Sequence, residues 1–184
     1  KLRKEIIEQL RTLPRTPELS LKLASLMADT GDTEQAVSCY TQVAEELIDQ
    51  GSWPTALEAL ETALALDPGA LGAPLVAKLY RASQGDARAR QLTQQAFDAA
   101  LLARSRTRAL VLGTVLLEFC SPDDAVEILE RVNQKAGAAF LVAIATTHLE
   151  WLIEHDRSGD VEPLLQRVLD LAGTSPDAWY LAAQ

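Results

Sequence analysis

The segment VSCYTQVAEELIDQGSWPTALEALETALALDP occupies residues 37–68 and determines the fold class expected for this 184-residue chain. Large apolar and small residues recur at helical spacing on both sides of Gly51. Pro68 ends the second half, since a proline inside a helix removes a backbone donor. The recurring positions are Tyr40, Val43, Ala44 and Leu47, followed by Ala56, Leu60 and Ala63. The segment therefore predicts two helices joined by a turn.

Turn signals recur along the chain after Gly51. They lie at Gly85, at Cys120–Ser121 and at Gly159, in steps of 34, 35 and 39 residues. With its order of large, small, Gly, Ala and Pro positions, this pattern resembles the tetratricopeptide repeat, whose period is about 34 residues. The resemblance is clearest over residues 17–68. It weakens beyond Gly85 and as far as residue 184. Arg90 stands where the family has a small residue, and Gln94 where it has an aromatic one.

The resemblance implies an all-α fold, a right-handed superhelix of antiparallel helix pairs forming one domain over residues 1–184. About eleven helices are expected, and no segment has a strand pattern. The expected ranges are 2–13, 17–30, 34–50, 53–66, 70–84, 87–104, 106–119, 122–134, 138–155 and 161–172, with a last helix after Gly173. Thr16, Thr33, Ser52 and Ser121 are the expected N-caps. The repeat pattern also fits an overlapping frame that starts at Pro17. The Val37 frame is preferred because the later turns continue it.

The charge of the chain restricts the partners that its surface attracts. The net charge is −9 and the pI about 4.7, which disfavours a polyanion such as nucleic acid. The basic residues Arg88, Arg90, Arg104, Arg106 and Arg108 are spread over two helices. They fit a solvated face better than an anion site. A basic or amphipathic protein or peptide is therefore the expected partner.

The cysteines and the chain ends indicate where the protein is located and whether it is part of a longer one. Cys39 and Cys120 form no CxxC motif, which favours reduced thiols and a cytoplasmic location. No apolar run reaches the roughly 20 residues that cross a bilayer, and there is no secretory signal. Because the chain starts at Lys1 and stops within a helical pattern, a piece of a longer, bacterial-looking protein is expected. Trp179 and Tyr180 near its end would then favour self-association.

In the family, the first helix of each pair lines a concave face that binds peptides or partner helices. The resemblance places the partner-binding residues on these first helices. They are Gln42, Glu45, Asp49, Leu75, Leu79, Thr114, Glu118 and Glu150, with Val76, Leu110, Leu117, Thr146 and Ile153 beside them. An alternative of equal weight is that the acidic residues only keep the surface soluble.

Neither a metal site nor a catalytic site is expected. His148, Trp151 and His155 follow at i, i+3 and i+7, whereas a zinc-binding histidine pair needs i, i+4. Asp123 and Asp124 are explained by the start of a helix. No nucleophile–base pair and no glycine-rich phosphate loop is present, so no cofactor is expected. The chain is therefore predicted to be a non-enzymatic scaffold or adaptor. The alternative is a regulatory sensor segment of a signalling or transcription-regulating protein, which binds a small ligand or its own effector domain.

Overall fold

The computed structural model describes Glu5, residues 16–69 and residues 71–173. Within these residues the prediction of an all-α chain is confirmed, with nine α-helices, one short 3-10 helix (Ser158–Asp160) and no strand. In chain order the helices are α1 (Pro17–Asp29), α2 (Thr33–Asp49), α3 (Trp53–Leu66), α4 (Ala73–Ala82), α5 (Ala87–Leu102), α6 (Arg106–Glu118), α7 (Pro122–Ala136), α8 (Ala138–Glu154) and α9 (Val161–Ala172). The helix expected at 2–13 and the last one, with Trp179 and Tyr180, lie outside the described residues.

The chain divides into two compact units, and the boundary falls after Ala96, within α5. In the first unit, α2 packs against α1 and α3 on either side of it in sequence, and also against α4. In the second unit, α8 packs against α7 and α9 and also against α6, while α7 contacts α9. Helices thus pack against their sequence neighbours and against the helix after next. None of the described helices combines the length and the apolar character needed to span a bilayer.

The apolar positions of the opening segment lie in the core of the first unit. Each is at most 7% exposed. They are Tyr40, Val43, Ala44 and Leu47 of α2, and Ala56, Leu60 and Ala63 of α3. The alanines among them have no exposed surface at all. Since the distance between two packed helices depends on the side chains at their contact, small residues at these positions allow α2 and α3 to approach closely.

A glycine with positive φ lies in each of the links before α2 and α3. Gly31 has φ 83° and Gly51 has φ 78°. The next backbone N–H, of Asp32 and Ser52 respectively, donates to the carbonyl of Met27 and Leu47 at 2.9 and 2.8 Å. These bonds satisfy carbonyls that the ending helix leaves free.

Thr33 and Ser52 do not cap as predicted. Thr33 is the first residue of α2, and Asp32 takes the N-cap position. Ser52 does occupy the N-cap position of α3, but its side chain makes no capping bond and its ψ is 49°, whereas a capping residue is typically extended. Thr16 and Ser121 do cap. Their hydroxyl oxygens accept from Leu19 N at 3.3 Å and from Asp124 N at 3.2 Å.

The two serines make a matched test of capping. Ser121→Ala removes an acceptor from the first turn of α7, and we expect it to lower the free energy of unfolding by about 1 kcal/mol. Ser52→Ala removes no such bond and should change it by no more than about 0.5 kcal/mol. Urea unfolding followed by circular dichroism measures both. Equal losses in the two variants would contradict this assignment of the caps.

Gly113 marks a close approach of helices in the second unit. A Cβ atom at this position would lie 3.0 Å from Ile144 Cδ1 on α8 and 3.0 Å from Phe97 Cε2 on α5. Both neighbours have no exposed surface, and moving away from one contact does not relieve the other. The absence of a side chain at Gly113 is therefore part of how α6 packs.

We expect Gly113→Ala to destabilise the chain although alanine is the better helix former. Overpacking a core costs about 1–3 kcal/mol, against a gain of about 1 kcal/mol in helix propensity. The net loss should be about 1 kcal/mol in urea unfolding. Gly159→Ala is the control, since a Cβ atom there meets nothing within 4 Å. A Gly113→Ala variant as stable as the wild type would show that the added Cβ atom is accommodated beside Ile144 and Phe97 without loss of stability.

Candidate functional site

Three of the predicted partner-binding residues lie on one exposed face of α2. Gln42, Glu45 and Asp49 are exposed and follow at i, i+3 and i+7. The Nζ atom of Lys78 on α4 lies 2.6 Å from Asp49 Oδ1 and 3.9 Å from Glu45 Oε1. This places the exposed edges of α2 and α4 next to each other. We call the surface of Gln42, Glu45, Asp49, Leu75 and Lys78 the α2–α4 surface.

Lys78 is the residue of this surface that the sequence analysis missed. It lies between Leu75 and Leu79, which were both predicted. Its ammonium group neutralises part of the acidic charge that α2 contributes. All three charged side chains are well exposed, with 62% exposure for each carboxylate residue and 39% for Lys78. Exposed pairs of this kind contribute little to stability.

The structure corrects part of the predicted binding list. Leu79, Val76 and Leu117 have no exposed surface, so they belong to the core and cannot contact a partner. The helical pattern alone assigns them to a face but does not reveal that a neighbouring helix covers it. Leu75, by contrast, is half-buried and stays at the edge of the α2–α4 surface.

The predicted residues of the second unit lie on α6 and α8. Thr114 and Glu118 of α6 are half-buried, and the Thr114 hydroxyl donates to carbonyls of its own helix at 3.0 Å. Glu150 of α8 is exposed, and Ile153 beside it is 61% exposed, which is unusual for a large apolar side chain. Glu150 and Ile153 are therefore the members of this group that are open to a partner.

Trp151 is the centre of an aromatic cluster on α8. Trp151 stacks with both histidines, at centroid distances of 5.7 Å to His148 and 4.2 Å to His155. The guanidinium carbon of Arg157 lies 6.0 Å from the Trp151 ring centroid. His155 is exposed, whereas His148 is only 4% exposed. Among the described residues, no group of three His, Cys, Asp or Glu side chains is placed to hold a metal ion.

His148 is a buried polar side chain with one unsatisfied nitrogen. No group of the described chain forms a hydrogen bond to its Nδ1 atom. Burial lowers the pKa of His148 to about 4; the positive charge of Arg157 acts in the same direction, and Glu118 and Asp160 act against it. The imidazole is therefore neutral at pH 7.

His148 lines a cleft of about 300 Å³ in the second unit. We call it the His148 cavity. Its walls come from the start of α7, the end of α8, the following 3-10 helix and the start of α9. Apolar side chains form most of the wall: Pro122, Ala125, Val126, Leu152, Pro163 and Leu164. Cys120, Ser121, Asp123, Arg157, Asp160 and Arg167 complete it.

The two arginines of the His148 cavity are already paired. Arg157 donates from Nε and Nη2 to Asp160 Oδ2 at 2.9 and 2.7 Å. Arg167 donates from Nη2 to Glu130 Oε1 at 2.6 Å. The thiol of Cys120 donates to the Leu116 carbonyl at 2.9 Å, and neither Cys120 nor Cys39 is in a disulfide. The cavity is therefore mostly apolar, with both arginines paired and one unsatisfied imidazole nitrogen.

A second cleft of about 300 Å³ lies where α5 and α6 meet the end of α7. Arg104, Arg106 and Lys135 contribute to its lining. The two arginines are exposed, and Lys135 donates to Asp98 Oδ1 at 2.8 Å. The cations of this cleft thus remain largely hydrated.

No protein-family model matches this chain, and no curated protein sequence matches it either.

The unfolding free energy should depend on pH through His148. In the unfolded chain its pKa returns to about 6.5, so between pH 4 and pH 6.5 the unfolded state binds more protons and stability falls as the pH falls. From pH 7 to pH 5 the free energy of unfolding should fall by about 2 kcal/mol. This decrease should be absent in His148→Phe and present in His155→Phe, whose substitution is at an exposed position. An identical pH dependence in the wild type and in His148→Phe would contradict the neutral, buried imidazole.

Proposed function

We propose that this chain is a non-enzymatic protein–protein interaction module, built as a tetratricopeptide-like array that curves into a right-handed superhelix. Ion pairs between alternate helices support the array. In the first unit Lys78 joins α4 to α2, and Arg88 joins α5 to α3 through Glu61 at 2.7 Å. In the second unit Lys135 joins α7 to Asp98 of α5, and Arg167 joins α9 to Glu130 of α7.

The sequence separations of these pairs lie on either side of the repeat period of about 34 residues. Lys78 and Asp49 are 29 residues apart, Arg88 and Glu61 are 27 apart, and the two pairs of the second unit are each 37 apart. In a stacked array of helix pairs, each helix meets its counterpart one repeat later. Contacts between helices two apart, at a spacing near 34 residues, are what such stacking produces.

The observation that carries the proposal is the contact of Lys78 with Asp49. It brings together α2 and α4, the first helices of two successive pairs in the Val37 frame. In an array, the first helices form one continuous binding face, so the α2–α4 surface is the proposed docking site. The partner is a peptide or domain with basic and apolar side chains, because the α2–α4 surface combines the acidic Glu45 and Asp49 with the half-buried Leu75.

The mechanism is complementarity of charge and shape on a rigid surface. Exposed ion pairs are weak, so a cationic partner can replace Lys78 as the counterion of Asp49. The net charge of −9 raises the rate at which such a partner arrives. Because the helices are already formed, binding orders only a few side chains. In the second unit Glu150 and Ile153 offer the same combination of acid and apolar side chain.

We expect Glu45→Gln combined with Asp49→Asn to weaken the binding of a helical peptide with Lys on one face and Leu on the other. Two exposed charge contacts of about 0.5 kcal/mol each correspond to a loss of about fivefold in affinity. Fluorescence anisotropy at low salt measures this, and the difference should shrink as salt is added.

Two further variants make the test specific to the surface. Glu34→Gln combined with Glu58→Gln changes the net charge equally at exposed positions outside the α2–α4 surface, and should alter the affinity less than twofold. Lys78→Gln frees Asp49 and should increase the affinity. If the two double variants lose affinity equally, only the net charge of the chain matters and the proposed surface is wrong.

A further inference from the structure

The cleft where α5 and α6 meet the end of α7 has a charge opposite to that of the chain as a whole. Three cationic residues contribute to its walls: Arg104, Arg106 and Lys135. No aspartate or glutamate belongs to the described residues that line it. Because the net charge of the chain is −9, composition alone does not lead us to expect a cleft whose charged lining residues are cations. We call it the basic cleft.

The two arginines of the basic cleft have their charge available to a ligand. Both are exposed, and no carboxylate of the described chain lies within ion-pair distance of either guanidinium group. Lys135 differs, since its Nζ atom lies 2.8 Å from Asp98 Oδ1. Asp98 is outside the lining and balances the charge of Lys135. The excess of positive charge therefore comes from Arg104 and Arg106.

The start of α6 adds a further attraction for anions. Ser105 precedes α6 and lines the cleft, but its side chain forms no capping bond. The backbone N–H groups of a first helical turn lack partners within the helix and give this end a partial positive charge. At the end of α5, by contrast, two carbonyl oxygens already accept hydrogen bonds. They belong to Ala100 and Leu101, and the donors are Ser105 N at 2.9 Å and Arg104 N at 3.1 Å.

The rest of the lining indicates that the anion has an apolar body. Its side chains are those of Ala100, Leu101, Ala109, Ala136 and Phe140. A dry cavity of about 150 Å³ is large enough for benzene, so a cleft of about 300 Å³ has room for one ring and a head group. An inorganic ion would leave the apolar walls in water, whereas a ring would cover them.

We propose that the basic cleft is a binding site for a small amphipathic anion, whose head group pairs with Arg104 and Arg106 and whose apolar body covers Leu101 and Phe140. The planar fork of an arginine matches the oxygen atoms of both carboxylate and phosphate groups. Two available guanidinium groups favour the phosphate, which carries the larger charge. This inference goes beyond the interaction module and concerns the second unit alone.

The sequence pattern alone could not locate this site. It placed five arginines on a solvated face, and Arg104 and Arg106 are indeed exposed. Of the five, these two line the cleft, and Lys135 joins them from α7. Exposed charges are well hydrated, so each contact is expected to change the affinity only about twofold to fivefold.

Four related probes separate the contributions of charge and apolar body on the wild-type chain. Phenyl phosphate carries both, inorganic phosphate lacks the ring, benzyl alcohol lacks the charge, and benzoate carries a single charge. We expect phenyl phosphate to bind about fivefold more tightly than benzyl alcohol, since two exposed charge contacts are worth about that factor. The ring should add at least about fivefold over inorganic phosphate. Benzoate should lie between phenyl phosphate and benzyl alcohol.

Amide chemical shifts in NMR titrations at pH 7 measure both the affinity and the place of binding. Low and constant ionic strength is needed, because salt screens exposed charges. The largest shift changes are expected in residues 100–109 and 135–140, which contain the lining.

Removing the arginine charges tests the role of the head group. Arg104→Gly combined with Arg106→Gln should weaken phenyl phosphate about fivefold and leave benzyl alcohol unchanged. Arg104 has φ 54°, which glycine adopts more readily, so the loss of affinity should not be accompanied by a lower melting temperature. Lys22→Gln combined with Arg88→Gln is the control, since it changes the net charge equally at exposed positions outside the cleft.

Filling the cleft tests its location. Ala136 is an exposed lining residue, so Ala136→Phe should fold and should weaken phenyl phosphate at least about fivefold by occupying the space of its ring. Ala139→Phe adds the same side chain at an exposed position of α8 outside the lining and should preserve binding. Circular dichroism checks that each variant is folded.

Each contrary outcome would overturn a definite part of the proposal. Equal affinities of phenyl phosphate and benzyl alcohol would overturn the role of charge, and equal affinities of phenyl phosphate and inorganic phosphate would overturn the apolar body. Equal losses in the two double variants, or binding that survives Ala136→Phe, would overturn the location. Absence of saturable binding by all four probes would overturn the site itself. None of these results depends on the α2–α4 surface, which the Lys-rich peptide tests independently.

Discussion

The described helices of this chain have apolar faces that they cannot bury alone, and the structure follows from that constraint. Within each unit such a face is covered by the next helix and by the helix after it, as α2 is covered by α3 and α4. Buried alanines and Gly113 let these helices approach closely, and glycine turns keep the links short. Stability in such an arrangement is a sum of contacts between near neighbours. A substitution is therefore expected to act mainly on the helices that it touches.

Ion pairs, like the apolar contacts, also join a helix to the helix after next. Asp49, Glu61, Asp98 and Glu130 each meet a Lys or Arg from the helix after next. These pairs are exposed and individually weak, so they do not hold the fold together. They do reduce the acidity of the surface that a partner meets. The net charge of −9 thus overstates how strongly the α2–α4 surface attracts a basic partner, and Lys78 competes with that partner directly.

The His148 cavity does not follow from the repeat pattern. Its wall combines the start of α7, the end of α8 and the 3-10 helix, where the helical order is interrupted. Desolvation there keeps an imidazole neutral and leaves one of its nitrogens without a partner. The exposed helix faces and this half-open cleft are thus two different kinds of surface in one chain.

The sequence by itself determined the helices. Their period, their glycine turns and caps such as Ser121 depend on residues close together in the chain, so nine predicted helices agree with the structure to within a few residues. Only the tertiary structure decided which faces are covered. Leu79 and Leu117 were expected at a surface and are buried, Lys78 reaches Asp49, and His148 loses contact with water. These outcomes depend on residues that approach from other helices, and a pattern along one helix contains no information about that approach.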